Sequence, residues 1–133
     1  MRDLIPVLLS MALAGCAAVP LDPSLPVGPP SRYNADPDRY DQQKVYVRGT
    51  LWTLGHWWRF NLYEPGEKHI GNLCLNLKNV TWLSDHRSAM NGRRVVVKGM
   101  FVKGAWKEAR GGCAGNDNGL LLDEEFLRRH YHP

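Results

Sequence analysis

The chain has 133 residues, which is room for one small domain rather than several. Its formal net charge is +4, and 14 of the 17 Lys and Arg residues but only 8 of the 13 Asp and Glu residues follow position 43, so the basic character belongs to the later part of the chain. Three cysteines occur without a Cys-x-x-Cys pair, which excludes the common redox and zinc motifs.

A short apolar run, residues 4–13, ends in the quartet Leu13-Ala14-Gly15-Cys16. The run is shorter than the ~20 residues that span a bilayer. The quartet resembles the lipobox of bacterial lipoproteins, whose cysteine is acylated and becomes the new amino terminus. The resemblance implies a signal peptide over residues 1–15 and a lipid anchor on Cys16. Because Ala17 follows rather than Asp, it also implies the outer membrane, with the domain facing the periplasm. The alternative is an ordinary secretory peptide in which Cys16 is incidental.

The next segment, residues 16–43, is rich in proline and poor in large apolar residues. Its prolines are Pro20, Pro23, Pro26, Pro29, Pro30 and Pro37. A segment of this composition has too few apolar groups to build a core. We therefore expect a disordered tether between the lipidated cysteine and a folded domain over residues 44–133.

Residues 44–133 show the pattern of a mainly β domain. Val45, Val47 and Leu51 recur with the period of two that is typical of a half-buried strand. The predicted elements in chain order are strands over 44–52 and 58–63, a strand through Leu73, Leu75 and Leu77, a short helix over 81–89, and strands over 93–102 and 119–123.

Five strands with one short helix between the third and fourth resemble the OB-fold, a five-stranded Greek-key barrel. The likeness rests on Val45-x-Val47-x-Gly49 in the first strand and Val95-x-Val97-x-Gly99 in the fourth, where glycine permits a sharp bend. An SH3-like barrel and an antiparallel sandwich are the alternatives. Together with the quartet at Cys16 and the proline-rich segment, the barrel resembles proteobacterial envelope lipoproteins, which implies a location but no activity.

Two cysteines, Cys74 and Cys113, remain once Cys16 carries lipid. An even pair in an oxidising compartment predicts a disulfide, which would stabilise the domain by roughly 4 kcal/mol through loop closure. Two buried free thiols are the alternative.

The OB-fold resemblance also implies where a ligand would bind. OB-folds bind on the face of the second and third strands, framed by the loops after the first and fourth strands. Both loops carry tryptophan and positive charge, while strand alternation turns Trp58 inward. The residues expected to form this surface are His56, Trp57, Arg59, Tyr63, Trp106, Lys107 and Arg110. The alternative is that the tryptophans pack at the barrel ends and the charges are simply solvated.

Nothing in the sequence indicates an enzyme. Neither Gly-x-Ser-x-Gly nor His-Glu-x-x-His occurs, and the consecutive side chains of Ser84-Asp85-His86 diverge. His130 and His132 would share one face of an extended tail, but no third metal ligand can be named. We expect no catalytic residue, no metal and no cofactor.

The expected function is that of a lipid-anchored, non-catalytic periplasmic binding module. Its ligand would be an anionic or sugar-containing envelope component or a partner protein. Nucleic acid is not expected, because an exported domain does not normally meet it. The alternative is a structural accessory subunit or spacer of an envelope complex, with no small ligand.

Overall fold

The computed structural model describes residues 19–54, 60–66, 71–75, 80–105 and 117–133. Six strands and five short helices lie in this part of the chain. In chain order they are β1 Val27–Gly28, α1 Pro30–Asn34, α2 Pro37–Tyr40, β2 Lys44–Trp52, β3 Asn61–Tyr63, β4 Asn72–Leu75, α3 Thr81–Asp85, α4 Arg87–Met90, β5 Arg94–Val102, β6 Gly119–Leu122 and α5 Glu124–His130.

Five of the strands form a closed barrel in the order β2-β3-β4-β6-β5, and β5 pairs back with β2. The pair β4–β6 is parallel and the other neighbours in the barrel are antiparallel. The helices α3 and α4 stand between β4 and β5 in the chain. The predicted mainly β, OB-fold-like barrel is therefore confirmed.

Strand alternation fills the barrel as the sequence predicts. Val45, Val47 and Leu51 of β2 are fully buried, as are Val97 and Phe101 of β5. Successive side chains of a strand point to opposite faces, so these positions line one continuous core.

The glycines of the two long strands, Gly49 in β2 and Gly99 in β5, lie where a neighbouring strand approaches closely. A Cβ atom at Gly99 would stand 2.5 Å from the carbonyl oxygen of Leu121 and 2.7 Å from Cγ of Leu120. One at Gly49 would stand 2.8 Å from Cγ of Leu62. The long strands β2 and β5 can therefore pack against β3 and β6 only because these positions carry no side chain.

The expectation of a disordered tether is wrong for residues 19–43. This segment contains β1, which pairs in parallel with β2 through Val27 and Tyr46, and the helices α1 and α2. Tyr33 and Tyr40 are 0% and 5% exposed and belong to the core. Prolines occupy the first turn of both helices, where a missing N–H breaks no hydrogen bond. The folded unit therefore begins well before Lys44.

Each end of the barrel is covered by a pair of short helices. At one end, the ring of Tyr33 lies 4.8 Å from that of Tyr40 and 6.0 Å from that of Phe101. At the other, α3 and α4 bury Leu83 and Met90 completely. The single helix expected over residues 81–89 is thus two helices that meet at His86.

The helix α5 packs on the outside of the barrel. Its Phe126 ring lies 5.5 Å from the ring of Tyr46, and Leu127 is fully buried. The Glu124 carboxylate accepts hydrogen bonds from the amides of Trp82 (3.0 Å) and Leu83 (3.1 Å) at the start of α3. None of the helices in the described part of the chain is both long and apolar enough to cross a membrane.

Candidate functional site

Most of the predicted binding surface lies outside the described residues. This holds for six of its seven members, namely His56, Trp57, Arg59, Trp106, Lys107 and Arg110, and for Trp58. Tyr63 is described: it lies on β3, opposite Thr50 of β2, and is half-buried. The predicted surface therefore stays a prediction, apart from the position of Tyr63.

The predicted disulfide also reaches beyond the described residues. Cys74 lies on β4, opposite Asn61 of β3, and is only 6% exposed. Its Sγ atom is 3.6 Å from Oδ1 of Asn61. Cys113 and Cys16 are outside the described part of the chain, so the Cys74–Cys113 pairing and the lipidation of Cys16 stay predictions.

A groove of about 440 Å³ crosses the outer surface of β5, β2 and β3. We call it the arginine groove. Its lining residues are Pro29, Arg48, Gly49, Thr50, Tyr63, Glu64, Pro65, Arg94, Val95, Val96 and Tyr131.

Strand register brings the two arginines of this groove together. Arg48 on β2 lies opposite Val96 on β5, and Arg94 of β5 lies opposite Thr50. The two arginines are therefore diagonal neighbours on adjacent strands, about 7–8 Å apart at the backbone. Both are exposed, because strand alternation turns them away from the core.

The groove carries an excess of positive charge. The guanidinium groups of Arg48 and Arg94 form no ion pair and no hydrogen bond with another residue of the described part of the chain. One carboxylate, that of Glu64, also lines the groove, and it accepts hydrogen bonds from the hydroxyl of Ser31 at 3.0 and 2.8 Å. The two guanidinium groups are therefore left to bind an anion, because the neighbouring carboxylate of Glu64 is already hydrogen-bonded to Ser31 of α1.

Two tyrosines stand on opposite sides of the groove. Tyr63 lies on β3, and Tyr131 follows α5. The hydroxyl of Tyr131 accepts a hydrogen bond of 2.7 Å from the amide of Val96. The Arg93 guanidinium lies 5.6 Å from the centre of the Tyr131 ring and donates a hydrogen bond to the carbonyl of His132. The carboxyl-terminal residues are thereby fixed beside the groove.

The described histidines do not form a metal site. His130 belongs to α5 rather than to an extended tail, with Nδ1 2.7 Å from the carbonyl oxygen of Phe126. In His86, Nδ1 is 2.8 Å from the carbonyl oxygen of Trp82. Within the described ranges no three His, Cys, Asp or Glu residues are grouped so that they could hold a metal ion.

Comparison of the chain with protein-family models, with curated proteins and with solved structures finds no match. Neither Arg48 nor Arg94 was predicted from the sequence as a binding residue, because their closeness depends on the register between two strands that are far apart in the chain.

Proposed function

We propose that this protein is a lipid-anchored, non-catalytic binding module of the bacterial envelope that holds an anionic component in the arginine groove. The observation that carries the proposal is the pair of exposed guanidinium groups, Arg48 and Arg94, which converge on one groove without an acidic partner among the described residues. Tyr63 belongs both to the groove and to the predicted loop surface.

The groove has the chemistry of binding rather than of catalysis. Guanidinium groups bind carboxylate and phosphate through paired, charge-assisted hydrogen bonds. Tyrosine rings offer flat apolar faces that pack on sugar rings. Among the described residues that line the groove there is no histidine or cysteine, and the carboxylate of Glu64 is hydrogen-bonded to Ser31, so these residues offer no activated nucleophile or free general base. An acidic glycan of the envelope fits this combination.

The location in the proposal rests on the quartet that ends at Cys16. Acylation at Cys16, with Ala17 following, would hold the domain at the outer membrane on the periplasmic side. There it would meet peptidoglycan, whose peptide stems carry carboxylates, and lipopolysaccharide on its way to the cell surface, whose sugars carry phosphates. A nucleic acid ligand is not part of the proposal.

A second candidate function is a structural subunit of an envelope complex. Two large apolar side chains near the end of β2 favour it, because Trp52 and Leu54 are 47% and 57% exposed. Exposed apolar residues of this size are typical of surfaces that contact another protein.

The test compares binding of the purified protein to lipopolysaccharide and to peptidoglycan sacculi. In the double variant Arg48→Gln/Arg94→Gln we expect affinity to fall by more than about tenfold, because each charge-assisted hydrogen bond contributes roughly 1.5–3 kcal/mol. Added salt should weaken the parent protein's binding and have less effect on the variant. The matched control is Arg87→Gln, at an exposed arginine of α4 that does not line the groove.

If the double variant binds both glycans as tightly as the parent protein, the groove is not the site. If neither glycan is retained, and a protein partner captured from envelopes is lost in Trp52→Ser/Leu54→Ser, the subunit function replaces the binding module.

A further inference from the structure

The folded part of the chain begins only a few residues after the proposed anchor. The amide of Asp22 donates a hydrogen bond of 2.9 Å to the hydroxyl of Tyr46 on β2. Asp22 is six positions after Cys16 in the sequence, and a chain of that length reaches at most about 22 Å. A lipid on Cys16 would therefore hold this point of the barrel close to the bilayer.

The chain enters the barrel at the end of β2 that begins with Lys44. Because β1 and β2 are parallel, with Val27 beside Tyr46, residues before Val27 lead back toward that end. The amide of Tyr46 donates a hydrogen bond of 2.8 Å to the carbonyl of Pro26, which fixes the direction from which the chain reaches β2. The pKa of the Asp22 carboxyl is lowered mainly by hydrogen bonds from Ser24, with a further contribution from the charge of Lys98.

The surface beside this entry point is both cationic and apolar. Lys44, Met100 and Leu121 form one row across β2, β5 and β6, and Lys98 lies in the next row. We call these four residues the anchor face. They line a shallow pocket of about 170 Å³, in which Leu121 is 42% exposed. Neither lysine is in an ion pair with another described residue.

Two carboxylates border the anchor face, and both have local partners. Asp22 accepts hydrogen bonds from the amide (2.9 Å) and the hydroxyl (2.7 Å) of Ser24. Asp123 caps α5 by accepting from the amide of Phe126 at 3.2 Å. The two ammonium groups are therefore left to meet phosphate, while Met100 and Leu121 offer apolar surface beside them.

We infer that the anchor face of Lys44, Lys98, Met100 and Leu121 lies against the phospholipid headgroups of the membrane that carries the anchor. The inference rests on the lipidation of Cys16 proposed above. Ammonium groups on long apolar stems, next to exposed apolar side chains, suit the boundary between headgroups and acyl chains. Each lysine near an anionic bilayer contributes about 1 kcal/mol, so the face orients a domain that the lipid already holds in place.

The test is amine footprinting of the lipidated protein, purified from cells and reconstituted in vesicles of phosphatidylethanolamine and phosphatidylglycerol at a ratio of about 3:1. Acetylation of Lys44 and Lys98 is read by mass spectrometry, and the mass of the amino-terminal peptide reports the acyl groups on Cys16. We expect both lysines to be acetylated at least about threefold more slowly than in Cys16→Ala protein mixed with the same vesicles.

Variants of the face separate orientation from anchoring. Leu121→Asp should raise acetylation of Lys44 toward the unlipidated rate without loss of the acyl groups. Arg87→Glu, on α4 at the opposite end of the barrel, should leave the protection of Lys44 unchanged. If Cys16 carries lipid but Lys44 and Lys98 react at the same rate with and without it, the inferred orientation is wrong while the anchor stands. If Cys16 carries no lipid, both the inferred orientation and the proposed lipid anchor are wrong.

Discussion

Tyr33 shows how one side chain joins the proline-rich segment to the barrel. It is fully buried, and its hydroxyl donates a hydrogen bond of 2.6 Å to the backbone carbonyl of Tyr46. Burial raises the pKa of Tyr33 from 10.0 to about 12, because a phenolate there would lose its hydration. The hydrogen bond thus supplies the partner that the buried Tyr33 hydroxyl requires.

Replacing this hydroxyl should weaken folding in a pH-dependent manner. Tyr33→Phe should lower the free energy of unfolding by about 0.5–1.5 kcal/mol at pH 7, because a buried hydrogen bond from the Tyr33 hydroxyl is lost. The stabilising effect of the raised pKa is complete below pH 10 and is lost as the pH rises from 10 to about 12, so parent and variant should converge over that range. Urea denaturation at a series of pH values measures this, with Tyr63→Phe as the half-buried control. An equal difference at pH 9 and pH 12 would contradict it.

The candidate site was only partly predictable at this scale. Alternation along β2 turns Arg48 outward, and this could be read from the local sequence. Its neighbour Arg94 is 46 positions away, and Tyr131 arrives from beyond α5. Long-range register has no local sequence signal, so the groove could not have been assembled from the sequence alone.

At the scale of elements, the strands of the barrel could be predicted because their side-chain period is local. The amino-terminal strand β1 and the helices α1 and α2 could not be predicted in this way. Prolines lower the expected order of residues 19–43, and Tyr33 and Tyr40 are isolated aromatic residues in a segment that is otherwise poor in large apolar side chains. Their burial comes from contacts with β2 and β5, which composition does not report.

The link between α3 and α5 provides a test at the scale of elements. Glu124→Ala should lower the free energy of unfolding by about 1.5–3 kcal/mol, because two amides at the start of α3 lose a charged acceptor. Its neighbour Glu125 only pairs with Arg128 and Arg129 on the exposed side of α5. Glu125→Ala should therefore change the free energy by less than about 1 kcal/mol. Chemical denaturation of the two variants measures their free energies of unfolding. An equal loss of free energy in both would rule out the role of Glu124 in capping α3.

At the scale of the whole molecule, the predicted disulfide would tie β4 to the part of the chain between β5 and β6. Non-reducing peptide mapping should recover Cys74 linked to Cys113. Reduction should lower the thermal midpoint by well over 5 °C, since loop closure contributes roughly 4 kcal/mol and each kcal/mol moves a small domain by about 4–8 °C. Rapid alkylation of both thiols in the native protein would show that the pair is not formed.

The position of β6 in the barrel sets the order in which the fold can be completed. This strand lies between β4 and β5 in the sheet but follows both of them in the chain. During synthesis, β2 can pair with β3 and β5 as they emerge, yet the ring stays open until Gly119–Leu122 has left the ribosome. Closing such distant contacts is slow because the entropy of a long loop must be lost first. The ring of strands in the nascent chain therefore remains open for almost the whole of its synthesis.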